Sequence, residues 1–212
     1  ITSSARLTLE KVLLFDDVEA GNQGWVAGGS WGITTAKAAS ATHSWTDSPF
    51  GNYPNNSNTS LTSGILDFTS LTDVTVQISH SYDLESNFDY GLVEYSTDGG
   101  NTWNLGAAFT GVSGFIDSEI AIPGLNNQTN GRVRFRVVTD PSEQHDGWYL
   151  DDIRISGRST SSSAVKRSDS PIVRIDKLSP ASGPPSGGTT VTITGDNFSD
   201  TGDTVVTFDG LA

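Results

Sequence analysis

The sequence predicts an all-β chain, a β-sandwich followed by a second, smaller β unit. Three observations predict it. Short runs rich in Val, Ile, Thr and aromatic residues recur along the chain, separated by turn-forming Gly, Asn, Asp, Ser and Pro. The 23 glycines in 212 residues supply many tight turns. No segment shows the sustained 3.6-residue apolar repeat of an amphipathic helix. The hydrophobic content is low at 34%, but five Trp, five Tyr and nine Phe provide bulky material for a core.

The strands follow in order. Leu7, Leu9, Val12, Leu13 and Leu14 mark a first strand within residues 1–14. Further strands are expected at Val74–His80, Gly91–Ser96, Arg132–Val138 and Trp148–Ile155. Arg132–Val138 alternates with period two, so Val133, Phe135 and Val137 face inward. Arg132, Arg134 and Arg136 then form a solvated outer face. Residues 158–170 are Ser-rich and polar with almost nothing to bury, which predicts a linker between a domain of residues 1–157 and a unit of residues 171–212. The second unit carries β segments at Ile172–Leu178, Thr190–Thr194 and Thr204–Phe208, with a Pro/Gly turn cluster at 180–188.

Charge and composition bound the function. The net charge is −13 and the pI about 4.3. Nucleic acid is excluded as a partner, because phosphate binding needs a basic surface. Divalent cations suit the acidic balance. The chain has no Cys, so neither disulfides nor thiolate metal sites are available. A cysteine-free, acidic chain rich in Asn, Thr and Gly reads as bacterial and either secreted or exposed at the cell surface. No run of about 18 apolar residues is present to span a membrane. The chain opens within a strand pattern and without Met, as a piece of a longer precursor would.

The motifs point to structure more than to catalysis. Ser96-Thr97-Asp98-Gly99-Gly100-Asn101-Thr102-Trp103 fits the Asp-box pattern and occurs once, which reads as a hairpin tip. Neither a zinc-binding His-Glu-x-x-His helix nor a Gly-x-Ser-x-Gly serine elbow is present. His43 and His80 read as structural histidines and His145 as part of a turn. Glu85, Asp89, Glu94 and Glu119 are candidates for glycoside hydrolysis, but nothing in the sequence selects a pair.

Acidic residues concentrate beside aromatic ones in Phe15–Glu19, Ser44–Pro49, Tyr82–Glu85 and Asp146–Ile153. Calcium takes six to eight oxygen ligands. In a closed sandwich the first and last strands pair, and that pairing would join two acidic clusters distant in sequence. The expected calcium ligands are Asp17, Glu19, Asp47 and Asp152, with Asp16 and Asp151 next.

Taken together, Phe15–Glu19, Trp25, Trp31–Thr34, His43–Pro49, Gly51–Leu61, Tyr82–Glu85, Asp89–Gly91, the Asp box and Asp146–Ile153 resemble the MAM-like jelly-roll domain of immune-inhibitor-A-type bacterial metallopeptidases. The resemblance covers residues 12–157. It implies a jelly-roll β-sandwich that is not itself catalytic and binds calcium. Ile175–Phe198 with Val205–Phe208 resembles the start of an IPT/TIG domain, which implies a partial Ig-like sandwich lacking its later strands. Ile172, Ile175, Val191, Ile193, Val205 and Phe208 then need cover, from the first domain or by strand exchange through residues 171–212.

The expected function is a non-catalytic accessory or adhesion segment of a secreted peptidase, binding a protein or polysaccharide surface ligand beside the catalytic domain of the same precursor. The alternative is the carbohydrate-binding module of a glycosidase, with Trp25, Trp31 or Tyr53 exposed.

Overall fold

Alternating apolar residues lay down two facing sheets in the computed structural model, which describes residues 9–159, 174–181 and 190–196. The chain divides into two compact units, one spanning Arg6–Ser162 and one that includes Ser163–Ala212. In the first unit the strands are β1 (Glu10–Asp16), β2 (Val26–Ala27), β3 (Gly32–Thr34), β4 (Ser44–Thr46), β5 (Asn58–Thr62), β6 (Leu71–Asp83), β7 (Tyr90–Ser96), β8 (Asn104–Phe109), β9 (Val112–Ala121), β10 (Arg132–Val138) and β11 (Gly147–Ser159). A 3-10 turn at Pro123–Leu125 separates β9 from β10. One sheet has the order β3-β4-β11-β6-β9 with β1 also on β11; the other has the order β2-β5-β10-β7-β8. Every pairing is antiparallel. The arrangement is a jelly-roll β-sandwich. No helix among the described residues is long and apolar enough to cross a membrane.

The core lies between the inner faces. Val74, Val76 and Ile78 of β6 and Trp148, Leu150, Ile153 and Ile155 of β11 are buried there with Val93 of β7 and Val133, Phe135 and Val137 of β10. Trp148 is its hub, with ring centroids 5.8 Å from Phe135, 5.9 Å from Phe109 and 6.4 Å from Trp31. Gly91 belongs to this packing: a β-carbon there would lie 2.8 Å from Trp148 Cε3.

β11 is the strand on which the first sheet depends. It pairs with β6 along its length. Its other edge takes β4 at Tyr149 and Leu150, then β1 from Ile153 to Arg158. Between those partners lie Asp151 and Asp152, where the ladder to β6 also slips and Asp152 adopts φ 45°.

The structure revises several expectations. β6 and β11 are each 13 residues long, beyond the apolar runs that marked them. β11 continues to Ser159, so the polar stretch expected as linker from residue 158 begins inside a strand; residues 160–170 lie outside the described residues. β8 and β9 bring up the edges of their sheets. They bury little and show no clean alternation, which hid them in the sequence. Arg134 and Arg136 do project from the outer face, but their side chains are only 20% and 22% exposed because both close on Glu94.

The second unit's described part is an antiparallel pair, β12 (Arg174–Ser179) with β13 (Thr192–Asp196). Ile175 and Val191 are exposed and Ile193 is half-buried. Ile172, Val205 and Phe208 lie outside the described residues.

The contact at Gly91 yields a stability test. Gly91→Ala forces the Trp148 ring or the backbone to shift, and is expected to destabilise the sandwich by about 1–3 kcal/mol in urea unfolding, the usual cost of overpacking.

Candidate functional site

Five of the six expected calcium ligands lie around the junction of first and last strands, but no three of their carboxylates come within 4.8 Å of one another. Asp16 pairs with Ile153, and the antiparallel register carries Asp17 to the level of Asp152. The loop of residues 37–43 is tied to this junction at both ends. Asp151 Oδ2 accepts the N–H groups of Ala39 at 2.8 Å and Ser40 at 2.9 Å, and Ser40 Oγ donates to Asp152 Oδ1 at 3.0 Å. Glu19 accepts the N–H groups of Thr42 at 2.9 Å and His43 at 2.7 Å.

The electrostatics follow from these partners. The His43 ring and the N–H groups of Thr42 and His43 hold the Glu19 carboxyl down at about 2. Burial pushes Asp151 above its usual range, against the N–H groups that favour its charge. Asp16 is buried and fully occupied: Oδ1 accepts Val18 N–H at 2.9 Å, and Oδ2 accepts the indole N–H groups of Trp25 at 2.8 Å and Trp45 at 3.1 Å. Asp17 and Asp152 each bond through one oxygen only, to Glu19 N–H and Ser40 Oγ. Each therefore keeps an oxygen to offer a cation.

Asp47 stands apart from this group. Its Oδ1 accepts Trp148 N–H at 2.7 Å. Trp148 precedes Asp152 by four residues of β11, roughly 13 Å of strand. Asp47 is fully buried, and its Oδ2 has no hydrogen-bond partner. Burial pushes its carboxyl up to about 7, although the Trp148 N–H opposes the shift. His80 is the complementary case. It accepts the Trp148 indole N–H on Nδ1 at 3.0 Å and meets Ser118 Oγ through Nε2 at 2.9 Å. Burial lowers it to about 4, so it is neutral at physiological pH.

Another acidic group lies among the loops at one end of the sandwich. Carboxylate oxygens of Glu85, Asp89 and Asp140 fall within 4.8 Å of one another. Asp89 is buried and doubly bonded, by Tyr53 O–H at 2.6 Å and Asp140 N–H at 2.7 Å. Burial, then the charges of Asp140 and Glu143, hold Glu85 above its usual range. Sequence reasoning missed Asp140, whose one signal is a turn-forming Asp before Pro141. The other glycosidase candidates are engaged elsewhere. Glu94 is clamped by Arg134 and Arg136, each with an Nε at 2.7 Å, and Glu119 accepts Gln77 Nε2 at 2.7 Å.

Two features named in the sequence resolve as scaffold. In the Asp box, Asp98 accepts Thr102 N–H at 2.9 Å and Thr102 Oγ1 at 2.7 Å, the hairpin-tip role expected of it. Trp25, Trp31 and Tyr53 are 4%, 5% and 0% exposed, so they do not form the exposed aromatic platform that the carbohydrate-binding alternative would show. Their rings fill the core while Trp25 and Tyr53 spend their polar tips on Asp16 and Asp89. The open surface lies elsewhere. Two adjoining cavities of about 370 and 490 Å³ occupy the outer face of the first sheet and share Gln77 and Glu119.

Known proteins resemble the chain in two parts. Residues 173–212 match the IPT/TIG domain. Bacillopeptidase F of Bacillus subtilis (strain 168) is 30% identical over 159 residues, covering 71% of this chain; the chain spans only 11% of that relative's length. Among solved structures, the CBM22-1 xylan-binding domain from Paenibacillus barcinonensis Xyn10C aligns with TM-score 0.50 and 14% identity, over 73% of this chain and 99% of its own. The K2 cleaved adhesin domain of Lys-gingipain aligns with TM-score 0.49 and 16% identity, over 69% and 99%. The xylan-binding domain's likeness is one of fold.

Asp47 and His80 give stability opposite pH slopes. Asp47's folded value of about 7 lies above its ordinary 3.8, so its contribution is full at low pH and is lost as pH rises to about 7. His80's folded value of about 4 lies below its ordinary 6.5, so its contribution is full above 6.5 and is lost as pH falls to about 4. Asp47→Asn removes the first slope. Its Tm should therefore climb from pH 4 to 7 more steeply than that of the unmodified chain, as read by thermal unfolding at each pH.

Proposed function

We propose that this chain is a non-catalytic accessory segment of a secreted or cell-surface bacterial protein, a peptidase, whose calcium-stabilised sandwich presents a binding face to substrate, matrix or cell surface. One observation carries this reading: most residues of the aromatic and acidic blocks are spent on holding strands and loops together, while two adjoining cavities open on an outer sheet face. The resemblance of residues 12–157 to the MAM-like domain of immune-inhibitor-A-type peptidases and the 30% identity to part of Bacillopeptidase F support the peptidase parent. Its catalytic domain is then a neighbour in the same precursor. A xylan-binding domain of the same fold makes polysaccharide the first ligand class to test.

Calcium fits the junction of β1 and β11, where Asp17 and Asp152 retain free oxygens beside Glu19 and Asp151. A divalent ion bound there would draw these carboxylates together and offset their mutual repulsion. In the second unit, the exposure of Ile175 and Val191 supports cover by strand exchange with a neighbouring chain through residues 171–212.

Peptidase and glycosidase assays on the purified chain are expected to give no turnover above blank. Turnover lost on Glu85→Gln or Asp89→Asn would replace this reading with a glycosidase. Calcium at a hundredfold excess over Kd should stabilise the sandwich by about 2.7 kcal/mol, roughly 5–10 °C in Tm, and chelator should reverse the gain. Asp17→Ala with Asp152→Ala should abolish the shift. Loss of the shift in Glu85→Gln instead would move the ion to the loop end.

A further inference from the structure

We propose that the outer face of β1-β11-β6-β9 is a trough for a neutral polysaccharide chain; this rests on the accessory-binding reading and gives it a site and a ligand class. The sheet register builds the floor. Phe15, Arg154, Gln77 and Glu119 stand in one cross-strand row over four adjacent strands. Strands lie about 4.8 Å apart, so this row spans roughly 15 Å. On β6, Thr75, Gln77 and Ser79 face outward because Val74, Val76 and Ile78 between them are buried in the core. The two cavities meet at Gln77 and Glu119 and together follow β6 from Asp73 to Ser79. At about 3.4 Å per residue that is roughly 20 Å of open trough.

The chemistry of the lining selects the ligand. Donors and acceptors alternate across the face: Gln77 Nε2 donates to Glu119 Oε2 at 2.7 Å, Ser79 Oγ donates to Asp117, and Arg154 Nη2 meets Glu10 Oε2 at 2.9 Å. These bonds hold the side chains in fixed rotamers before any ligand arrives, which lowers the entropy cost of binding. A sugar hydroxyl both donates and accepts, so it can join such pairs at either end. Phe15, 51% exposed at one wall, offers an apolar ring face beside them. Carboxylates outnumber guanidinium groups along the trough, five (Glu10, Asp73, Asp117, Glu119 and Asp152) to two (Arg154 and Arg158). An anionic chain is therefore repelled. A cationic peptide is the competing occupant, but it would find three of the five acids, Glu10, Asp117 and Glu119, already sharing their charge with a neighbouring donor.

The test is affinity electrophoresis of the full chain through gels containing xylan, β-glucan, galactan or mannan, with polygalacturonate and poly-lysine as charged comparisons. Retardation by at least one neutral glycan is expected, and none by polygalacturonate. Phe15→Ala and Gln77→Ala should each weaken binding roughly five- to tenfold, the effect of losing one such contact, with unchanged unfolding midpoints. Leu105→Ala on the opposite sheet should leave binding intact. No retardation by any of the four neutral glycans overturns the proposal, as does retention that survives both substitutions. Binding of poly-lysine alone also overturns it and assigns the face to a cationic partner. None of these failures touches the accessory reading, which turnover by the chain would overturn.

Discussion

The first sheet depends on what happens at Asp151–Asp152. There one edge of β11 leaves β4 and takes up β1, and the backbone between the two ladders must find other partners. Buried backbone polar groups left unpaired cost as much as lost hydrogen bonds. Asp151 answers locally: Oδ1 accepts Asp152 N–H at 2.8 Å, while Oδ2 reaches the loop of residues 37–43 that crosses the gap. Glu19 and Asp16 secure the same loop and the end of β1. The fork thus turns a break in a sheet into a set of carboxylates that each cap nearby N–H groups. The acidic blocks on the first and last strands of the sandwich and its topology are one fact seen twice.

Inside the sandwich, three buried polar groups each receive an aromatic tip. Asp16 takes the indoles of Trp25 and Trp45, His80 takes Trp148, and Asp89 takes Tyr53. Each aromatic residue then buries its ring without stranding its N–H or O–H. Such pairs are satisfied in one register only, since a one-residue slip sends every side chain to the opposite face. They specify which of the compact β arrangements the chain adopts, beyond what Val, Ile and Leu burial achieves alone.

Much of this was legible in the sequence. The period-two run at Arg132–Val138 gave β10 and its inward residues, and the aromatic–acidic blocks marked both partners of the fork. The rest depended on contacts that no local pattern encodes. Trp25, Trp31 and Tyr53 have the composition of a sugar platform, and only the positions of Asp16 and Asp89 turn them inward. Asp47 belongs to an acidic block like the others, yet the geometry of β4 seats it beside Trp148, far along β11 from Asp152. β8 and β9 are edge strands rich in Gly, Ala and Ser. An edge needs little apolar alternation, so nothing announced them.

The two outer faces differ in what they leave available. On the second sheet, Glu94 lies between Arg134 and Arg136, and Arg134 also stacks 4.1 Å from the centroid of Trp103. Burial works against the Glu94 charge, but the hydrogen bonds from both arginines outweigh it and hold the carboxyl below its usual range. A ligand there would have to break charge-assisted bonds, which are about twice as strong as neutral ones. On the first sheet, Gln77 and Ser79 link to Glu119 and Asp117 through single bonds from uncharged donors. Each of these acids is held through one oxygen by one donor, so its other oxygen remains open to a third partner. The same strand chemistry therefore closes one face of the sandwich and leaves the other receptive. That asymmetry centres on Glu94, clamped by two arginines, against Glu119 and Asp117, each met by one amide or hydroxyl, while the Arg154–Glu10 ion pair stands at the β1 side of the trough.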